Sequence, residues 1–209
     1  MSNVPWVGGP ALSTFAYEKP LHVPALATAR ETGVRRLGRT VTAFTDELVE
    51  AVIGTRYSSL HPDREWIVVD LRVRALGAAL VEIGREDISL TRKDGSMLTL
   101  PDREEIAAEL SNIGRTMIAA SAVEDPLDTY LPPCFEVDRI PFVTRSMLES
   151  IVLEAGRVAS GKLLFHAPRG TRIPALYTFG VSNRDVDVRI PFRLPASDFP
   201  ELRAMAAIR

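Results

Sequence analysis

Sulfur chemistry is nearly absent from this chain: one cysteine, Cys134, stands in 209 residues. An internal disulfide is excluded, and without a CxxC partner neither a zinc site nor a dithiol redox centre can be built on it. No base stands near it in sequence, so Cys134 reads as a small packing residue. Histidine is scarce too. His22, His61 and His166 are the three, and none belongs to HExxH or another close pair with metal-ligand spacing. His61 with Asp63 is the nearest approach to a metal seed, and turn capping accounts for both. Neither sign of charge dominates. The 25 basic and 27 acidic side chains leave a formal charge of −2, which supplies no overall attraction to nucleic acid or anionic lipid. Apolar runs fall far short of the ~20 residues of a membrane helix. The opening residues lack the basic and apolar regions of a secretory signal, which leaves a cytoplasmic protein, an envelope protein delivered by another route, and a chain whose signal has been removed as alternatives.

Catalytic signatures are missing as well. Ser160 stands in "ASGK" without the GxSxG elbow, and neither "GPALS" nor "ASGKLL" has the spacing of a phosphate loop. Glu104 and Glu105 belong to an opening helical turn, where the helix dipole favours acids. Glu124 and Asp125 precede Pro126 in a loop and are expected to be solvated. No catalytic residue, cofactor or metal is therefore expected.

What the chain does have is proline, at both ends of its first thirty residues and between: Pro5, Pro10, Pro20 and Pro24. That density prevents a regular helix or central strand. The aromatics Trp6, Phe15 and Tyr17 among them suggest an extended arm that lays its rings on another surface, since a purely disordered tail holds few aromatics. Residues 1–39 are read as this arm. It ends at the densest basic cluster, Arg35, Arg36 and Arg39, which suits phosphates or an acidic protein face; without stacking aromatics on a matching sheet face, nucleic acid is not the expected partner.

Beyond the arm the apolar residues alternate. In "DELVEAVIGTRYSSL" the residues Val49, Ala51, Ile53, Thr55 and Tyr57 share one face of a predicted strand. After the turn "HPDRE", Ile67, Val69, Leu71 and Val73 face one way and Trp66, Val68, Asp70, Arg72 and Arg74 the other. Asp70 is thus expected to point outward, beside Arg72, in a cross-strand pair. Val81 and Ile83 form a short strand. Pairing Leu90 with Leu98 and Ile88 with Leu100 leaves the three-residue loop Lys93-Asp94-Gly95, a type I turn with Gly95 in the left-handed position.

The period then changes. Asp102 is a candidate cap, and Ile106, Leu110, Ile113 and Met117 mark one amphipathic helix, weakened but not broken by Gly114. A proline-punctuated loop follows. The last third returns to strands in "ESIVLEAG", "RVASGKLLFHAP", "PALYTFGV" and "DVDVRIPFRLP". His166 lies on the outer face of its strand, and Pro191 implies that the final strand lies at a sheet edge or ends its pairing there. About seven short alternating strands predict an all-β, antiparallel immunoglobulin-like sandwich over 40–195. The helix and Pro-rich loop at 101–146 form an insertion rather than a layer, and 196–209 is a C-terminal tail.

The ordered set Val68, Val69, Asp70, Leu71, Val73, then Asp87, Ile88, Leu90, then Asp94 and Gly95 resembles the signature of a bacterial immunoglobulin-like family labelled telomeric-repeat-binding-factor-like, a label without functional connection to telomeres. Gly156, Ser160, Gly161, Leu163, Phe165 and Pro168 resemble that family's penultimate element. The resemblance covers residues 40–194 outside the insertion. It implies an exported or lipid-anchored sandwich of unknown function, at an extracytoplasmic or membrane-surface location, with no catalytic residues to carry over. The expectation is a non-enzymatic accessory or scaffolding subunit in an envelope or membrane-associated assembly. It would bind a protein partner through Trp6, Phe15, Tyr17, Arg35, Arg36 and Arg39 and through the insertion. The alternative is a small-ligand or metal-binding envelope protein that uses the cleft between insertion and sandwich.

Overall fold

A computed structural model describes residues 32–62, 64–77, 80–132, 137–139 as backbone, 150–155, 157–167 and 175–194. Trp6, Phe15, Tyr17, His22, Asp63, Cys134, Gly156, Pro168 and the tail lie outside them.

Twelve strands and four helices occur among the described residues. The chain begins with β1 (Gly33–Arg36), β2 (Val41–Thr45) and β3 (Val49–Gly54), followed by a short helix α1 (Arg56–Leu60) and the long strand β4 (Trp66–Ala75). Next come β5 (Val81–Gly84), β6 (Ile88–Arg92) and β7 (Met97–Thr99), then the helices α2 (Arg103–Ala108), α3 (Leu110–Ser121) and α4 (Leu127–Tyr130). The last third holds β8 (Val137–Arg139), β9 (Ser150–Leu153), β10 (Val158–His166), β11 (Leu176–Ser182) and β12 (Asp187–Arg193).

These strands form the expected antiparallel sandwich. One sheet has the order β1-β2-β3-β4-β10-β8 and the other β12-β11-β6-β7, while β5 and β9 make a separate pair. Only β8, beside β10, runs parallel to its neighbour among the registered pairs. The alternation read from sequence supplies the core. Ile53, Ile67, Val69, Leu71 and Phe165 from the larger sheet meet Ile88, Leu90, Phe179, Val188 and Ile190 from the smaller one.

The turn chemistry holds in detail. Leu90 pairs with Leu98, Gly95 sits at φ +84°, and the Gly95 amide donates to the Arg92 carbonyl while Arg92 and Ser96 close the loop. Asp94 locks the bend by accepting from the Ser96 amide and hydroxyl. β12 is an edge strand, as Pro191 requires. Residues 33–36, expected in the arm, instead pair with β2 as the edge strand of the larger sheet.

Two expectations fail together. Thr55 and Tyr57 were expected to extend the strand at Val49, but β3 stops at Gly54 and the chain turns into α1. The insertion carries three helices, not one, and they are a layer: α2 and α3 cover Tyr57, Trp66, Val68 and Leu164 through Ile106, Ile113 and Ala120. Further along the same face, Leu127 and Leu131 cover Val41, Ala43 and Val52. Asp102 caps α2 as expected, in a capping box with Glu105, but the helix breaks at Glu109 rather than weakening at Gly114. The break turns Leu110 out of the apolar stripe and leaves it exposed.

Because β3 ends early, part of β4 loses its ladder partner on that side. Val68 would leave a buried N–H and C=O unmatched, a cost of about 1–3 kcal/mol per group. Ser58 of α1 resolves both: its hydroxyl accepts from the Val68 amide at 2.7 Å and donates to the Val68 carbonyl at 2.9 Å. Ser58→Ala should therefore cost about 2–4 kcal/mol in urea denaturation. A loss below about 0.5 kcal/mol, the scale of an ordinary surface change, would show that Ser58 does not replace the missing strand.

Candidate functional site

The candidate site lies where the insertion meets the second face of the larger sheet. This corrects the sequence expectation for Asp70. The residue does point away from the sandwich core and does pair across strands, but it is 7% exposed, under the insertion. Lys162 of β10 stands opposite it in register, with Nζ 2.7 Å from Asp70 Oδ1 and 2.7 Å from Glu124 Oε1. One ammonium thus joins the sheet to the loop that follows α3.

The neighbouring acid is also buried, contrary to expectation. Asp125 accepts from the Thr40 hydroxyl at 2.7 Å and from the Arg56 amide at 2.9 Å. The second bond serves α1, whose own N-cap Thr55 makes no side-chain cap. Asp125 reaches this position because residue 54 is glycine: a Cβ there would stand 2.6 Å from Asp125 Oδ2 and 2.7 Å from its Cβ. Further along β4, Arg74 binds Glu50 through Nε and Nη2 at 3.0 and 2.6 Å, again directly across strands. Between them Arg72 is 7% exposed, and its Nε has no hydrogen-bond partner among the described residues.

Burial is the largest influence on Asp70 and raises its pKa above the usual 3.8, against the pull of Lys162 and with a further push from Asp125 and Glu124. Burial also raises Asp125, against its hydrogen bonds from Thr40 and Arg56. On Lys162 burial acts downward, but Asp70 and Glu124 together outweigh it and hold the ammonium above its usual 10.5. For both carboxylates the folded pKa lies above the unfolded one. Their contribution to stability is complete below 3.8 and is lost as pH rises through the raised folded values. The contribution of Lys162 is complete below 10.5 and is lost only as pH rises through its raised value.

At the Trp66 end of β4, α1, the start of β4 and α3 border a recess of about 460 Å³. Tyr57, Arg64 and Trp66 line one side, and Asn112, Arg115 and Thr116 of α3 the other. Glu65 and Ala119 complete it. Trp66 stacks on His166, with ring centroids 4.8 Å apart and planes at 29°. Its Nε1 is buried without a hydrogen-bond partner among the described residues. On α3, Arg115 donates to Asn112 Oδ1 and Asn112 donates to Glu109.

Of the residues named from sequence, Arg35 and Arg36 lie exposed on edge strand β1, and Arg39 lies exposed in the following turn. Arg36 folds over that turn, donating to the Gly38 and Arg39 carbonyls. His61 ends α1 against Tyr57, with ring centroids 4.6 Å apart. His166, placed on the outer face, is half-buried against Trp66. No group of three or more His, Cys, Asp or Glu side chains among the described residues could hold a metal ion. No helix among them is long and apolar enough to cross a membrane. Sequence reasoning missed the recess and the Lys162 joint because each assembles residues far apart in the chain. Trp66 and Val68 on the supposed wet face of β4 were the available signal.

Both partners of the Asp70–Lys162 pair are largely buried, so Lys162→Met should destabilise by about 3–5 kcal/mol at neutral pH. The deficit should shrink at about pH 5, because Asp70 without its cation takes up a proton at higher pH. Urea denaturation at the two pH values checks this; an equal deficit at both would be the contrary result. Gly54→Ala should cost about 1–3 kcal/mol by pushing on Asp125. Gly114→Ala, with nothing within 4 Å of the new methyl, should instead gain about 0.5–1 kcal/mol of helix propensity.

No protein-family model and no curated protein matches this chain. Among solved structures, the yjhA protein from Bacillus subtilis is similar at a TM-score of 0.37 and 8% identity, over 72% of this chain and 95% of that one. A likeness at that level assigns neither family nor function.

Proposed function

We propose that the chain is a non-enzymatic accessory or scaffolding subunit that binds a protein partner, in an envelope or membrane-associated assembly, through its N-terminal arm and its insertion. The observation that carries this reading is the outward side of α3. Ile113, Thr116 and Ala120 bury its inner side. Leu110, Gly114 and Ile118, spaced four residues apart, share the outer one, where Leu110 is 47% and Ile118 is 76% exposed. A helix held by its inner side can present such a stripe without reordering, which spares a partner the entropy of fixing it. Burying the two side chains is worth about 1.5–3 kcal/mol each at full burial.

A second reading, small-ligand binding, is favoured by the recess between α1, β4 and α3. Its volume falls within the ~300–1,000 Å³ of ligand sites.

Affinity capture of the full chain from its source cells tests the first reading. Ile118→Glu and deletion of residues 1–30 should each lose the same stoichiometric partner while far-UV circular dichroism and melting stay unchanged. A partner retained by both variants would refute it.

A further inference from the structure

We propose that Lys162 and Asp70 become joined by an intramolecular amide bond, which the folded chain forms by itself with Glu124 as the proton carrier. The inference goes beyond the partner-binding and ligand readings and needs neither.

The three groups already stand as reactants. β10 pairs with β4 along its whole length, Val158–His166, and Lys162 lies directly opposite Asp70 in that register. Both backbones are therefore fixed, and the two side chains meet on one face of the sheet. Nζ is 2.7 Å from Asp70 Oδ1 and 2.7 Å from Glu124 Oε1, so nucleophile, carboxyl group and base converge without further movement of the chain. Well-oriented groups react as though at concentrations of ~10⁵–10⁸ M, and proximity on that scale makes an amide accessible from an unactivated carboxyl group.

Burial supplies the second requirement. Side-chain exposure is 11% for Lys162 and 10% for Asp70, and the apolar pair Leu164 and Val68 comes next along the same face. A carboxylate and an ammonium do not condense; a carboxylic acid and an amine do. Desolvation is the largest single influence on each group, and on each it favours that uncharged form. The two acids hold Lys162 protonated at rest, so the ion pair is the state before reaction. One proton passing from Nζ to Asp70 Oδ1 gives the neutral pair. Exclusion of water then protects the product, because hydrolysis needs a water at the same carbon. Glu124 is 54% exposed, which leaves the released water a way out.

The step balances without a co-reactant. After the first proton transfer the Nζ lone pair attacks Asp70 Cγ, and a C–N bond forms. Glu124 takes a second proton from the nitrogen and delivers it to the Asp70 hydroxyl, whose C–O bond breaks as one water leaves. The third proton stays on the amide nitrogen, the opposite charges of the pair have cancelled, and Glu124 is again a carboxylate. The bond ties β4 to β10 across ninety-two residues. A chain with one cysteine has no internal disulfide, and an amide closes such a loop in a form that reductants do not open.

Mass spectrometry of the denatured full-length protein tests this. The wild type should be lighter than its sequence mass by one water. Trypsin should release a branched peptide joining residues 65–72 to residues 158–169 through Asp70 and an uncleaved Lys162. Lys162→Arg, which keeps a cation opposite Asp70, should show the full mass. Glu124→Gln, at a half-exposed position, should keep its far-UV circular dichroism and form the bond about 100-fold more slowly or not at all. A wild-type protein that holds its full mass through prolonged incubation, or loses water without that branched peptide, would overturn the proposal. Glu124→Gln acquiring the bond at the wild-type rate would overturn the role of Glu124 and leave the bond.

Discussion

Strand β4 is buried on both faces, and the rest of the architecture follows from covering its second one. The first face is apolar and meets the opposite sheet. The second mixes Trp66 and Val68 with Asp70, Arg72 and Arg74, and no apolar layer could close over it without stranding charge. Apolar helix residues therefore cover the Trp66 end, where Ile106, Ile113 and Ala120 pack, and ion pairs settle the charged stretch. Lys162 is the hinge point of that arrangement: its one ammonium bridges Asp70 within the sheet and Glu124 from the insertion.

The same constraint explains the geometry around the recess. β3 leaves the sheet at Gly54, directly opposite Asp70, which makes room for Asp125 beside the sheet. Asp125 then caps α1, Ser58 of α1 takes over the hydrogen bonds that β3 no longer supplies to Val68, and Tyr57 of α1 becomes a wall of the recess. Shortening one strand thus creates a helix terminus, a buried acid and a pocket wall in a single step. A cavity at the seam between a rigid sheet and an added layer is a common place for ligands, because neither element must deform to leave it open.

Much of the fold was legible because its signals are local. Period-two alternation identified β4, β10 and β12, Gly95 and the spacing of Leu90 and Leu98 specified the hairpin register, and Pro191 marked an edge. The helix signal was also present, through Asp102 and the apolar spacing after it. The break at Glu109 was not, since nothing in local propensity separates one helix from two that pack successively over the same apolar cluster. The candidate site was illegible for a different reason. Trp66 and Asp70 of β4, Arg115, Glu124 and Asp125 of the insertion, and Lys162 of β10 come from three segments tens of residues apart, and no spacing rule connects those segments.

What the sequence determined by itself is which residues face which way: alternation assigns sides to each strand regardless of what lies beyond them. Only the tertiary structure decided what each side meets. A charged residue on an outward strand face has the same local pattern whether water or a helical layer covers it. For Asp70 the difference lies in the insertion folding back and in Lys162 arriving from a strand ninety-two residues later, and long-range closure of that kind leaves no mark on local periodicity.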